Sequence, residues 1–210
     1  MPQENRRILV ATTNPGKIAE IRAMLGAETR WLSLGEVGAA DEIAEDGATF
    51  AENARKKALG YARAAGLWTI ADDSGLIVDA LDGAPGVKSA RFSGARPDDH
   101  DRRLIDRRNM AKVLCLLNGV PKERRTARFV CCLCLADPEK VLLETEGTLE
   151  GLISDTEIGE NGFGYDPIFF VPHLKKTVAQ LTCEEKNAIS HRGNAIRKLK
   201  GLLDELLRAS

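Results

Sequence analysis

The run Phe129-Val130-Cys131-Cys132-Leu133-Cys134-Leu135 is apolar at every position, and this limits what the chain can fold into. Successive side chains on a strand point to opposite faces. A strand with no polar face must therefore be covered on both sides, in the middle of a sheet. Residues 126–136 and 141–148 read as two long strands joined by Asp137-Pro138-Glu139-Lys140, which makes them a hairpin. Cys131, Cys132 and Cys134 lie inside the apolar run, where a free thiol packs as a small hydrophobe. With Cys115 and Cys183 the cysteine count is odd and lacks zinc-type spacing, so core packing is the expected role.

Two further strands lead into chemistry. Ile8-Leu9-Val10-Ala11 reads as a buried strand, followed by Asn14-Pro15-Gly16-Lys17 and the helical stripe Ile18, Ile21 and Leu25. Asn14 suits an N-cap and Pro15 the first helical position, so free backbone N–H groups and the positive helix end should face whatever lies beyond the strand tip. Lys17 in the first turn opposes the helix dipole, a penalty that a bound phosphate would reverse; a solvated lysine is the plainer reading. The segment is not the Gly-x-x-x-x-Gly-Lys-Ser/Thr phosphate loop. Trp68-Thr69-Ile70-Ala71 delivers Asp72-Asp73-Ser74-Gly75, and Leu76-Ile77-Val78 continues beyond. Adjacent carboxylates after an apolar run need a cation, a proton or water to answer them. These residues fit either a metal and water-activating site or an ordinary Asp-Ser-Gly turn.

Residues 35–47 read as an acidic loop carrying Glu36, Asp41, Glu42, Glu45 and Asp46. Thr49-Phe50-Ala51-Glu52 has the capping-box pattern. The helix after it should bury Phe50, Ala54, Ala58, Tyr61 and Ala65 and end near Gly66. Lys57, beside that face, either snorkels at the rim or reaches in toward the acids. Gly83, Pro85 and Gly86 mark a loop. Residues 97–118 read as a helix with Leu104, Ala111, Leu114 and Cys115 along one side and a solvated face of Arg102, Arg103, Arg107 and Arg108. In a chain with 5% aromatic residues, Gly162-Phe163-Gly164-Tyr165-Asp166-Pro167 is a notable cluster before the strand 168–171. It can stack on a planar ring and hydrogen-bond its edge, or it can be a turn that anchors Phe163 in the core. Thr182-Cys183-Glu184-Glu185 is a second capping box. Ser190 then suits the N-cap of a final helix with Ala195, Leu199, Leu202 and Leu206 on one face, which puts His191 and Arg192 in its first turn. Lys186, His191 and Arg192 converging on a helix start is what anion binding would select.

The 210 residues fit one domain, with 43% hydrophobic and 29% charged residues, an ordinary globular composition. Lys and Arg number 30 against 31 Asp and Glu, so no global field draws in nucleic acid or an anionic membrane. No run approaches the roughly 20 apolar residues of a spanning helix, and the start Met-Pro-Gln-Glu-Asn-Arg-Arg has no apolar signal core. The expected location is the cytoplasm, with neither nucleic acid nor membrane as partner.

Several stretches together closely resemble the inosine triphosphate pyrophosphatase family, also called the HAM1 or noncanonical purine nucleoside triphosphate pyrophosphatases. They are Thr12-Thr13-Asn14-Pro15-Gly16-Lys17, Glu45-Asp46-Gly47-Ala48-Thr49-Phe50 with Glu52-Asn53-Ala54, Ala71-Asp72-Asp73-Ser74-Gly75, Phe163-Gly164-Tyr165-Asp166, Lys186 and Ser190-His191-Arg192. Gly-Ala-Pro-Gly at 83–86 and Ser-Ala-Arg-Phe-Ser-Gly at 89–94 complete the family's order, and the likeness runs from about Ile8 to the last helix. It implies an elongated, two-lobed α/β fold on a long mixed central sheet with a nucleotide cleft between the lobes. Residues 1–210 would form a single domain, usually as a homodimer. It implies Mg2+-dependent hydrolysis of ITP, dITP and XTP to the monophosphate and pyrophosphate, which cleanses the nucleotide pool. Asp73 takes the family's catalytic base position, and Glu45 and Asp73 its metal positions. Thr12, Thr13, Asn14, Pro15, Gly16, Lys17 and Lys57 would hold phosphates, and Ser74 would contact substrate. Phe163 would stack on the purine within the Gly164-Tyr165 segment, with Asp166, His191 and Arg192 near the base and Lys186 beside the nucleotide. Departures from the family pattern fall in places such as residues 98–108.

The roles also follow from chemistry. An α-phosphorus ringed by anionic oxygens repels hydroxide, so the site needs cations and a carboxylate to deprotonate water. On an ideal strand Asp72 and Asp73 point to opposite faces, so either the strand breaks there or only one carboxylate serves the reaction. Asp73 is the expected base, with Asp72 as a catalytic, metal or supporting ligand. The rival readings are a Maf-type nucleotide pyrophosphatase of other specificity and a nucleotide-binding sensor without turnover.

Overall fold

The computed structural model describes residues 7–25, 29–38, 43–94 and 101–209. Seven strands form one mixed sheet: β1 (Arg7–Ala11), β2 (Arg30–Ser33), β3 (Trp68–Val78), β4 (Thr126–Ala136), β5 (Val141–Ile153), β6 (Phe169–Val171) and β7 (Lys176–Thr177). Their order is β2-β1-β3-β4-β5-β6-β7, so the doubly apolar strand β4 lies in the centre, as its composition requires. β1 pairs in parallel with β2 and β3, whereas β6 runs antiparallel to β5 and β7. The helices are α1 (Pro15–Leu25), α2 (Phe50–Ala65), α3 (Arg102–Leu116), α4 (Cys183–Ile189) and α5 (His191–Ala209). No helix among the described residues is long and apolar enough to cross a membrane.

The chain divides into two compact units, and each has its own core. The first comprises Met1–Asp73, Cys131–Gly147 and His191–Ser210. Its core joins Ile8, Val10 and Ile70 to Cys131, Leu133 and Leu135, with Ile21 and Leu25 of α1 and Ala195, Ile196, Leu199 and Leu203 of α5 packed on them. The second comprises Ser74–Val130 and Thr148–Ser190. Its core includes Leu76, Val78, Met110, Val113, Phe129, Ile153, Tyr165 and Phe169. There Phe129 and Phe169 stack with centroids 4.3 Å apart. A Cβ on Gly151 would stand 2.5 Å from the Phe169 ring, so β5 needs glycine where the ring crosses it.

Local cap chemistry sets several helix ends. Asn14 Oδ1 accepts from Gly16 N (2.9 Å) and Lys17 N (3.4 Å), so the α1 cap forms and takes up two of the N–H groups expected to stay free. Thr49 Oγ1 accepts from Glu52 N (3.1 Å), but Glu52 Oε2 accepts from Ala48 N rather than closing the box on Thr49. Gly66, at φ 63°, ends α2. The capping box at Thr182 is complete.

Other expectations are corrected. Asp72-Asp73-Ser74-Gly75 is not a turn, because β3 runs unbroken through it. β5 extends to Ile153, beyond the expected end at 148. α3 begins at Arg102, capped by Asp101 Oδ1, and buries Ile105, Asn109, Met110 and Val113 rather than the Leu104 side. Leu104, Ala111 and Cys115 are exposed. α5 buries Leu203, and Leu202 faces out. Residues 97–100 of the expected helix and Asp41 and Glu42 of the acidic loop lie outside the described residues.

Glycines test the packing of α5 with opposite signs. A Cβ on Gly147 would meet His191 O at 2.2 Å and Ala195 N at 2.5 Å, whereas Gly201 has open space. Gly147→Ala should lower the unfolding free energy by about 2 kcal/mol or more in urea titrations, since backbone has to move. Gly201→Ala should raise it by roughly 0.5–1 kcal/mol through helix propensity. Equal effects of the two would contradict this packing.

Candidate active site

Strand alternation separates the two aspartates of β3. Asp72 shares its face with Ile70, toward α1 and α5, and its side chain is fully buried. Lys17 Nζ pairs with Asp72 Oδ1. Arg192 Nε donates to Asp72 Oδ2 at 2.9 Å, and the Cys131 thiol donates to the same oxygen at 3.0 Å. Arg192 is buried as well, and its Nη1 pairs with Glu20 Oε2. Burial alone would push the Asp72 carboxyl up, but the Arg192 guanidinium and the Lys17 ammonium outweigh it and hold it well below the usual range. The same carboxylate, after burial itself, pushes the Cys131 thiol well up. The two basic helix starts, unfavourable by local rules, are therefore answered inside the protein by one carboxylate.

Asp73 points to the other face, toward α2. Asn53 Nδ2 donates to its Oδ2 at 3.0 Å, and Lys57 Nζ lies 3.8 Å from its Oδ1. Asn53 is fully buried and is held in turn by Gly47 N, which donates to its Oδ1 at 2.7 Å. A Cβ on Gly47 would stand 2.6 Å from that oxygen, which explains the glycine. Lys57 is buried rather than snorkelling: its ammonium donates to Glu45 Oε1 (2.9 Å) and to the Asp72 carbonyl (2.5 Å). Burial would lower the Lys57 pKa, but Glu45, Asp73 and Asp72 raise it. Burial raises the Asp73 carboxyl above the ordinary range despite Lys57 and Asn53, and the Glu45 charge adds to the rise.

Lys17, Lys57 and Arg192 thus face four carboxylates, Glu20, Glu45, Asp72 and Asp73, leaving a surplus of negative charge. Among the described residues, no three or more His, Cys, Asp or Glu side chains gather as a metal cage. Glu45 and Asp73 flank one ammonium and offer oxygen donors only. A hard divalent cation that keeps waters and substrate oxygens fits such a pair, and it would relieve the buried Asp73 charge. In the segment before α1, Thr12 Oγ1 accepts from Asn14 N (3.2 Å), while Thr13 and Pro15, the first residue of α1, are exposed.

A second cluster lies in the other unit. Asp166 is buried, and its Oδ2 accepts from Phe163 N (2.9 Å) and from Lys186 Nζ (2.8 Å). The Lys186 ammonium also lies 4.3 Å from the Phe163 ring centroid. Gly162 and Gly164 have φ of 77° and 63°, and a Cβ on Gly162 would collide with Asp166 Oδ2 at 2.1 Å. Phe163 is half-buried, so Tyr165, not Phe163, anchors this loop: its hydroxyl donates to Ser89 O at 2.8 Å in the core. Ser74, half-buried in β3, belongs to this unit. His191, buried at the start of α5, belongs with Arg192 to the first. Glu20 and Asn53 had no assigned role from sequence, and Cys131, expected only as core packing, also bonds Asp72. Asn53 carried a signal, because with Lys57 it puts polar groups on the buried face of α2.

An α/β protein with a cluster of lysine, arginine and carboxylate groups around the Asp72-Asp73 pair defines the class. The profile of the Ham1 family matches residues 8–202, and the chain belongs to that family. A dITP/XTP pyrophosphatase of Desulforamulus reducens is 48% identical over 201 residues, covering 95% of this chain and 96% of its own. The dITP/XTP pyrophosphatase of Bacillus subtilis is 46% identical over 202 residues, covering 95% and 98%. The structure of the Staphylococcus aureus Ham1 protein superimposes with a TM-score of 0.83 at 40% identity, covering 95% of this chain and 99% of its own.

If Asp72 is the internal counter-ion of Lys17 and Arg192, Asp72→Asn leaves the buried Arg192 and the partly buried Lys17 poorly answered. Urea unfolding should show a loss of about 3–5 kcal/mol. A loss below about 1 kcal/mol would mean that the network is not what holds these helix starts.

Proposed function

We propose that this chain hydrolyses noncanonical purine nucleoside triphosphates, dITP, ITP and XTP, to the monophosphate and pyrophosphate. The observation that carries the reading is Asp73, a buried carboxylate with one oxygen steadied by Asn53 and the other beside Lys57. The family and the substrates in its relatives' names support the choice of nucleotide.

A carboxylate fixed between Asn53 and Lys57 is placed to accept a proton from water. Asp73 takes that proton, the water oxygen attacks the α-phosphorus, the bond to the α–β bridging oxygen breaks, and pyrophosphate leaves with the electron pair. Lys57 limits the cost of charge on Asp73 and Glu45. Lys17, held by Asp72, supplies positive charge at the first turn of α1, where Thr12, Thr13, Asn14, Pro15 and Gly16 surround the phosphates. Glu45 and Asp73 would hold Mg2+, which when bound draws charge from the phosphate oxygens. Ser74 contacts the substrate, His191 completes the nucleotide contacts, and Arg192, buried on Asp72 and Glu20, holds the start of α5 that carries His191.

Phe163 offers a half-buried ring for stacking on the base, Gly164 and Tyr165 adjoin it in the same binding loop, and Lys186 and Asp166 offer a donor and an acceptor for its edge. A donor aimed at a 6-oxo group would face the amino group of adenine, costing on the order of 1–3 kcal/mol per unpaired group. The reading extends to one domain over residues 1–210, a homodimer and work in the cytoplasm.

With Mg2+ present, turnover of dITP, ITP and XTP should exceed that of ATP and GTP by on the order of 10²-fold, with pyrophosphate as product. Orthophosphate as the first product, or equal rates for all bases, would overturn the proposal. Asp73→Asn should lower kcat by about 10²–10⁴-fold and keep nucleotide binding. Full activity in that variant would remove Asp73 as the base.

A further inference from the structure

The loop that carries Phe163 is held by a residue outside every motif. Asp106, on α3, accepts from Gly164 N through Oδ2 at 2.9 Å, and Arg102 one turn earlier pairs with its other oxygen at 3.4 Å. On the other side of Phe163, Asp166 Oδ2 accepts from Phe163 N at 2.9 Å. The two amide N–H groups that bracket the Phe163 Cα are thus each taken by a carboxylate. One fixes the peptide plane before the residue and the other the plane after it, so the direction of the Cα–Cβ bond is set from both sides. This matters because the ring is only half-buried and the adjoining Gly164, at φ 63°, is a position of high backbone freedom. α3 itself is fastened one turn on by buried Asn109, whose Oδ1 accepts from Ser93 N (2.7 Å) and whose Nδ2 donates to Ser89 O (3.2 Å). Tyr165 donates to that same Ser89 carbonyl, so the loop and the helix share an anchor.

We propose that Asp106 is a positioning residue for base recognition, which orients the Phe163 ring by clamping the Gly164 amide. The inference rests on the proposed role of Phe163 as the stacking platform. Stacking strength depends on ring orientation, so loosening the clamp weakens base-dependent binding and leaves proton transfer at Asp73 intact.

Steady-state kinetics on the full chain, with dITP and dGTP and Mg2+, test this. Asp106→Ala should raise KM for dITP by about 10-fold, the order expected for a hydrogen bond to a charged acceptor, with kcat within about 2-fold. The ratio of kcat/KM for dITP over dGTP should shrink, a readout unaffected by the fraction of active enzyme. Asp106→Asn keeps an acceptor oxygen and should restore KM to within about 3-fold. In a Phe163→Ala background, Asp106→Ala should change KM no further, since the clamp then has nothing to orient. If Asp106→Ala does not fold, Asp106→Ser, too short to reach the amide, takes its place in the same comparison. Unchanged KM and base ratio, or an effect fully additive with Phe163→Ala, overturns the proposal. Failure of the parent chain to turn over dITP at all would instead strike the functional reading beneath it.

Discussion

One buried carboxylate, Asp72, holds the charged centre of the first unit together. It accepts from Lys17 at the start of α1 and from Arg192 at the start of α5, and each cation sits where the helix dipole disfavours it. Removing the carboxylate would leave a buried arginine and a partly buried lysine opposed to their helices. Keeping it fixes the two helix ends against β3, with the Cys131 thiol and Glu20 satisfying further positions of the network.

This arrangement explains how adjacent aspartates have different surroundings. β3 runs straight through the pair, so the pleat turns one carboxylate into a saturated cationic network and the other toward Asn53, Lys57 and Glu45. The first is held ionised by two cations. The second is raised by burial and by a neighbouring carboxylate. Two acids driven apart in proton affinity by their surroundings are a recurring way to divide structural and catalytic roles.

Much of this was legible in the sequence, and the parts that were not have definable causes. β4 was readable as central because a strand apolar on both faces has one place to go. The caps at Asn14, Thr49 and Thr182 were readable because their chemistry is local, although Glu52 reaches past Thr49 to Ala48 N. α3 was misread because apolar residues lie on both sides of it, and only the packing of Ile105, Met110 and Val113 decides which side is buried. The short strands β2 and β7 have too few residues to show a period. In the site, the anomaly of basic helix starts was visible, but their partner was not. A sequence shows that Lys17 and Arg192 violate a local rule without showing that Asp72, 55 and 120 residues away, answers both. Lys57 was open between rim and interior because burial of a lysine is costly, and it is buried where Glu45 and the Asp72 carbonyl accept from its ammonium beside Asp73.

The central proposal is that water attacks the α-phosphorus of a purine nucleoside triphosphate. Turnover of dITP in 18O-labelled water, with mass analysis of both products, tests it most directly. The account predicts one solvent oxygen in the monophosphate and none in the pyrophosphate. Label in the pyrophosphate would place the attack on the β-phosphorus and contradict it.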